Sequence, residues 1–239
     1  MQDPYDACIV VEHARPDVLR GIVEEAVSLG YKGLALCVYT LKKARKIESV
    51  RRKLGEDYGI DISVRLELRV SRVGEAKKLL SKYRRRFELI SMTAAGRSVT
   101  AFASRDRRID IITVPTTKWV PLYRGDWRNV EETDKLLELR VYPLLVSEPY
   151  IASRILSLYL SYVRKAPPKA RNRFILSSGA PSPRYLCTPH GLESIARELG
   201  LGSAGFVRVR EKVSINRDKI RGVIPVSGVK ILVRGGGNA

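Results

Sequence analysis

The chain has 239 residues, with 44 Lys and Arg against 25 Asp and Glu and two His, a formal charge of +19. Hydrophobic residues make up 44% and charged ones 29%, which is enough apolar material for a sizeable core; a disordered basic tail is excluded and a polyanionic partner is expected. Three scattered Cys with no C-x-x-C exclude a disulfide framework and a zinc ribbon.

Apolar runs rich in Val, Ile and Leu alternate with helical patterns. Strands are predicted to begin near Ala7 (A-C-I-V-V), Gly33 (G-L-A-L-C-V-Y), Asp61 (D-I-S-V-R-L-E-L-R-V), Phe87 (F-E-L-I-S-M), Ile109 (I-D-I-I-T-V), Tyr142 (Y-P-L-L-V), Arg173 (R-F-I-L-S-S) and Gly205 (G-F-V-R-V-R), at spacings of 22 to 33 residues. Pro16 opens the first helix, whose stripe is Val18, Leu19, Ile22, Val23, Ala26 and Val27, and Gly30 ends it. Thr40 caps a second helix that turns Leu41, Ala44, Ile47, Val50 and Leu54 to the sheet and Lys42, Lys43, Arg45, Lys46, Arg51, Arg52 and Lys53 outward. Ile151 to Val163 form a helix apolar around much of its circumference, for which core burial is expected unless a partner covers it. Thr188, Pro189 and Gly200 frame a further helix burying Leu192, Ile195, Ala196 and Leu199.

About eight βα units predict the α/β class and a TIM-like (β/α) barrel. It should form a single domain over residues 1–210, followed by a basic C-terminal extension over 211–239 that is partly flexible around Gly235, Gly236 and Gly237. A doubly wound open sheet is the alternative, but no G-x-G-x-x-G follows the first strand. Beyond Gly205, a helix starting near Ser203 competes with a final strand. No basic leader or membrane-length apolar run is present, so a cytoplasmic protein without membrane attachment is expected. One Gln, four Asn and two Met fit a thermophilic source.

The charge is uneven. Residues 41–90 hold 16 basic and 7 acidic residues and residues 151–239 hold 16 and 4, whereas residues 1–40 hold 3 and 6. Such localisation fits a nucleic-acid footprint better than a uniformly solubilised surface. The strand ends, where barrel enzymes keep their catalytic groups, read Glu12 and His13, Tyr39 and Thr40, Arg69, Thr93, Pro115, Glu148, and Ser177 and Ser178. With only His13 and His190 in the chain, no metal cluster is expected, and no nucleophile elbow or P-loop is present. No catalytic residue is assigned. Arg65, Glu67 and Arg69 share one side of the third strand, as an anion site in the barrel mouth or as an internal ion-pair ladder. Ser177-Ser178-Gly179-Ala180 reads equally as a phosphate-binding turn or a tight packing turn. The stretch Lys118 to Arg128, with Trp119, Tyr123 and Trp127, either stacks on unpaired bases or folds back over one end of the barrel.

Taken in order, several segments resemble the ribonuclease P protein component 3 family of archaea and eukaryotes. They are Arg65-Leu66-Glu67-Leu68-Arg69, Asp110 to Pro115 with the Trp119 loop, Leu137-Glu138-Leu139 leading to Pro143-Leu144-Leu145, Arg173 to Ala180, and Pro189 to Gly200. The resemblance implies a barrel distantly similar to metal phosphoesterases of the polymerase-and-histidinol-phosphatase type, lacking their metal cluster. It implies a subunit that binds the catalytic RNA of ribonuclease P and supports removal of the 5′ leader from precursor tRNA. Partners would be that RNA, precursor tRNA and the ferredoxin-like protein component 2, in a heterotetramer. The protein would bind no cofactor, and Mg2+ would sit in the RNA. Val114, Tyr142 and Cys187-Thr188-Pro189-His190-Gly191 stand where the family commonly shows an Arg, an Arg and R-x-P-R-D. Candidate RNA-binding residues are therefore Lys42, Lys43, Arg69, Arg97, Arg105, Arg107, Arg108, Lys118 and Arg124, with Arg140, Arg173 and Arg184 added by proximity. A stand-alone metal-dependent phosphoesterase and a general RNA-binding protein are the alternatives.

Overall fold

Among the described residues, seven strands form and pair in chain order into one all-parallel sheet. The computed structural model describes residues 3–223. Its strands are β1 (Tyr5–Val10), β2 (Gly33–Val38), β3 (Asp61–Leu68), β4 (Leu89–Thr93), β5 (Ile111–Thr113), β6 (Leu136–Arg140) and β7 (Phe174–Ser177). The sheet closes where Ile9 of β1 bridges Ala180, just past β7; Val10 N–H donates to the Ala180 carbonyl at 2.9 Å. The architecture is thus a TIM-like α/β barrel with seven strands.

Helices α1 (Pro16–Ser28), α2 (Leu41–Tyr58), α3 (Val73–Tyr83), α4 (Arg97–Arg105), α5 (Arg124–Glu132), α6 (Tyr142–Val146), α7 (Pro149–Lys165), α8 (Pro168–Arg171) and α9 (Pro189–Glu198) follow the strands, and α10 (Phe206–Ile220) comes last. Local signals explain their ends. Thr40 and Thr188 accept hydrogen bonds from the Lys43 and Gly191 amides, and Gly30 and Gly200 take the left-handed conformation after α1 and α9. Arg51 and Lys43 do not project outward as expected of them. Arg51 reaches back to the Glu88 carboxylate and the Ile62 carbonyl, and Lys43 to the Ala14 carbonyl. Val50 is 39% exposed and does not face the sheet.

Two elements differ from the sequence reading. The sixth strand is Leu136–Arg140, while the expected strand at Tyr142 is the short helix α6. Pro143 has no amide for a ladder, and a central barrel strand cannot accommodate that loss. The expected strand at Gly205 is α10, whose buried residues Phe206, Val209, Val213 and Asn216 follow helical spacing. Gly205 starts it at φ +84, with Ile175 packed where a Cβ would lie. The helix also runs through the boundary expected after residue 210, and residues 224–239, including the glycine run, lie outside the described residues.

In place of an eighth strand, α10 plugs the N-terminal end of the barrel. Val209 and Val213 complete an internal apolar layer with Tyr5, Ala7, Ala35, Leu89, Ile111, Leu136 and Ile175. Asn216 donates to the Glu88 carbonyl and the Asp110 carboxylate and accepts from Arg84, while Arg217 holds Asp61 and the Ile62 carbonyl. β2 contributes Gly33 to this layer because the Tyr5 ring fills the space. A Cβ there would lie 2.2 Å from two ring carbons. Gly33→Ala should therefore destabilise the fold by roughly 1–3 kcal/mol. Gly74→Ala, in open space on α3, should be neutral or stabilising by up to about 1 kcal/mol. Chemical denaturation of both variants checks the contrast.

Candidate nucleic-acid interface

Above the apolar layer the barrel interior turns polar. Arg65, fully buried, places Nη1 and Nη2 on the two carboxylate oxygens of Glu138 at 2.5 and 2.6 Å. Its remaining donors go to Ser91 Oγ, Thr113 Oγ1 and the Ala7 carbonyl. One turn of the barrel higher, Glu67 accepts from Arg140, from Thr93 Oγ1 at 3.0 Å and from Arg69 at 3.3 Å. Burial alone would raise both carboxyls, but the guanidiniums of Arg140 and Arg65 hold Glu67 and Glu138 down to about 2. The alternating charges of β3 are an ion-pair ladder, and Arg140 is part of it: Nε donates to Glu138 and Nη2 to Glu67.

The turn after β7 serves the barrel's closure. Ser178 N–H donates to the buried Asp6 carboxylate, Gly179 N–H to the Cys8 carbonyl and Ser177 Oγ to Glu138. With these donors occupied, Ser177 to Ala180 form the tight packing turn, not a phosphate cradle. Asp6 also accepts from Cys8 N–H at 3.0 Å, so one carboxylate ties β1 to the end of β7. Burial raises Asp6 to about 6, against the pull of those hydrogen bonds.

The C-terminal ends of the strands open into a cleft of about 660 Å³, lined among others by Tyr39, Glu67, Arg69, Thr93, Thr113 and Arg140. Three arginines around this end lie over tyrosine rings. Arg69 sits 3.5 Å from the Tyr39 ring centre, Arg97 4.5 Å from that of Tyr123 and Arg184 4.4 Å from that of Tyr185. Each stack fixes a guanidinium while leaving N–H groups for an acceptor. Arg97 also pairs with Asp126 at 2.9 Å. Lys42, Lys118, Arg124 and Arg184 are exposed and make no ion pair among the described residues.

The structure divides the twelve candidates between two ends. Lys42, Lys43, Arg69, Arg97, Lys118, Arg124, Arg140 and Arg184 follow strands, at the mouth end. Arg105, Arg107, Arg108 and Arg173 precede strands, at the plugged end; Arg108 is held by Asp106, and Arg173 by Asp134. Tyr123 belongs to the Lys118–Arg128 stretch expected to stack on bases or fold back; Tyr185 is not among the sequence candidates, and its signal is an aromatic directly beside a basic residue in a post-strand loop. Sequence reasoning assigns no role to Tyr39. In the Trp119 loop the two tryptophans fold back on the barrel, while Tyr123 stays exposed. Trp119 packs on Tyr162 at 4.2 Å, and Trp127 is buried near Phe174. Glu148, expected at a strand end, precedes α7 instead. Among the described residues, no three or more His, Cys, Asp or Glu gather to hold a metal ion.

The family model for RNase P subunit p30 matches residues 4–219. The chain belongs to that family. A chain of an archaeal ribonuclease P, seen by cryo-electron microscopy with mature tRNA, superposes with a TM-score of 0.74 at 14% identity, covering 95% of this chain and 97% of that one. A designed cube-shaped protein cage aligns at a TM-score of 0.32 and 9% identity over 93% of this chain and 77% of that one. No curated protein sequence matches the chain. In this p30 family member no helix among the described residues is long and apolar enough to cross a membrane.

The buried charges set how stability varies with pH. Glu67 and Glu138, held below their ordinary value of 4.5, contribute stability that is complete above it and lost as pH falls toward 2. Asp6 acts in the opposite sense, its contribution complete below 3.8 and lost as pH rises through about 6. Asp6→Asn should flatten the decline in stability between about pH 4 and 7 while leaving the acid limb unchanged, as followed by denaturation across pH. Glu138→Gln, which strands two buried guanidiniums, should cost about 3–5 kcal/mol. Replacing Arg65 and Glu138 together by Met and Leu should cost less than the sum of the single changes.

Proposed function

We propose that this p30-family subunit binds the catalytic RNA of ribonuclease P through the mouth end of its barrel, supporting removal of the 5′ leader from precursor tRNA. The observation that carries the reading is the set of three arginine–tyrosine stacks in segments that follow strands, one of them in the wall of the cleft, on a chain of charge +19. Fixed guanidiniums match phosphate oxygens in bidentate geometry, and the adjacent rings suit unstacked bases better than a regular duplex. Arg65 and Arg140 are buried and paired, so the binding capacity lies in the exposed cations of the rim: Arg69 and Arg97, which each keep one carboxylate partner, and Arg184, Lys42, Lys118 and Arg124. The RNA with its Mg2+ would carry out the hydrolysis, and the protein would neutralise phosphate and hold the RNA's active conformation. The protein component 2, the heterotetramer, the cytoplasmic setting and an archaeal, thermophilic origin belong to the same proposal.

Binding of the RNA should weaken steeply with salt. Replacing Arg69, Arg97 and Arg184 together by Ala should lower the salt slope by about two to three and the affinity by at least tenfold, because each phosphate contact adds roughly 0.7 to 0.9 to the slope. Arg105→Ala with Arg107→Ala, at the other end, should change affinity less. Filter binding over a salt series reads both quantities, and a flat salt response would overturn the reading. Reconstitution with RNA and partner proteins at limiting Mg2+ tests the process itself. Leaving out this subunit should reduce precursor cleavage, whereas the protein alone with Mg2+ or Mn2+ should show no phosphodiester turnover.

A further inference from the structure

The cleft at the barrel mouth holds more hydrogen-bond donors than the protein has acceptors for. Glu67, the carboxylate in its wall, is saturated: Oε1 accepts from Thr93 Oγ1 and Arg69 Nε, and Oε2 from Arg140 Nη2 and Cys37 Sγ. Arg140 directs Nε to Glu138 and Nη2 to Glu67 and Thr113. Its Nη1 has no hydrogen-bond partner among the described residues and is not sealed from solvent. Arg69 is half exposed and donates through Nε alone, so both of its terminal nitrogens are open as well, on a guanidinium already fixed over Tyr39. Much of the remaining wall is apolar and includes Val70, Val114, Pro115 and the Tyr142 ring, which Tyr185 braces edge-on at 5.0 Å.

We propose that this cleft binds a single nucleotide, with its phosphate on Arg69 and Arg140 and its base against the apolar wall beside Tyr142. The donor set selects the ligand class. A phosphate group only accepts hydrogen bonds at neutral pH, which matches open guanidinium N–H groups that have no acceptor. A metal ion would find the Glu67 oxygens already engaged, and a neutral sugar would bring further donors to a place where donors are in excess. A bare phosphate ion is too small: about 660 Å³ with an apolar wall is the size and character of a site for a small organic molecule. An aromatic side chain in that wall gives a base a surface to pack on. A free mononucleotide and an unpaired nucleotide of a bound RNA carry this chemistry equally; the first holds without the RNA reading, and the second rests on it.

The test is calorimetric titration of AMP, inorganic phosphate and adenosine into the full chain at constant ionic strength, so that the general attraction of a +19 chain for anions cancels. AMP should bind saturably, one per chain, and at least about tenfold more tightly than either phosphate or adenosine. Arg69→Met, which keeps the packing on Tyr39 and removes the donors, should weaken AMP at least about tenfold. Ala95→Glu, which sets a carboxylate at an exposed position of the cleft wall, should abolish binding. Arg105→Ala with Arg107→Ala, at the plugged end, should leave AMP affinity unchanged. Melting curves like the parent's verify the fold of each variant. Parental AMP affinity in both cleft variants, or a parent chain that binds RNA but not AMP, would overturn the cleft site and leave the RNA reading intact. AMP binding without RNA binding would overturn the RNA reading and support the site. Equal affinity for phosphate and AMP would overturn the nucleotide as ligand. Competition then separates the two sources: displacement of RNA in step with AMP occupancy supports a nucleotide of the RNA, and simultaneous binding supports a free mononucleotide.

Discussion

The two-pronged contact between Arg65 and Glu138 is the constraint around which the barrel is organised. It joins strands 73 residues apart across the interior, where a lone charge of either sign would be intolerable. Once that pair is in place, the neighbouring positions follow. Ser91, Thr113 and Ser177 are small hydroxyl residues because the remaining lone pairs and N–H groups need partners in a restricted space. Glu67 and Arg140 repeat the pairing at the mouth, and Arg69 carries the chain of charges to the surface. The interior therefore grades from hydrocarbon at the plugged end, through neutralised charge, to half-exposed cation at the open end.

This gradient also explains what could be read from the sequence. Strands facing outward onto helices announced themselves as Val, Ile and Leu runs, and the helix caps at Thr40, Thr188, Gly30 and Gly200 were legible because capping is local chemistry. β6 is hard to read because two of its three inward positions, Glu138 and Arg140, are charged. The polar half of the barrel erased the apolar signal there, and the richer run Tyr142–Val146 stood out in its place. At the C-terminal end the V-R-V-R alternation mimicked a strand, although Phe206, Val209 and Val213 also obey helical spacing. The choice depended on a vacancy at the bottom of a barrel assembled from residues far away. For the site, basic residues could be found but not ranked. Which arginine is held by Glu67, by Asp134 or over a tyrosine depends on long-range neighbours that spacing along the chain does not encode.

Separating paired from unpaired cations changes the meaning of the net charge. Much of the Arg content is structural: Arg51, Arg65, Arg84, Arg140 and Arg217 hold carboxylates or carbonyls between elements. What remains for a partner is concentrated on rims and outer helices. The nearly uncharged α6–α7 corner gives the molecule two chemically distinct faces.

Closure by an internal helix has a consequence for the order in which the protein is made. Tyr5 and Asp6, on the first strand of the sheet, find their partners in Ser178, Val209 and Val213, far later in the chain. At about 5–20 residues per second, those partners emerge on the order of ten to forty seconds later. Until then both margins of the growing sheet present unpaired backbone. Closure of the barrel thus waits on the segments from Ser178 to Val213, and a product that ends before them leaves both margins of its sheet without partners.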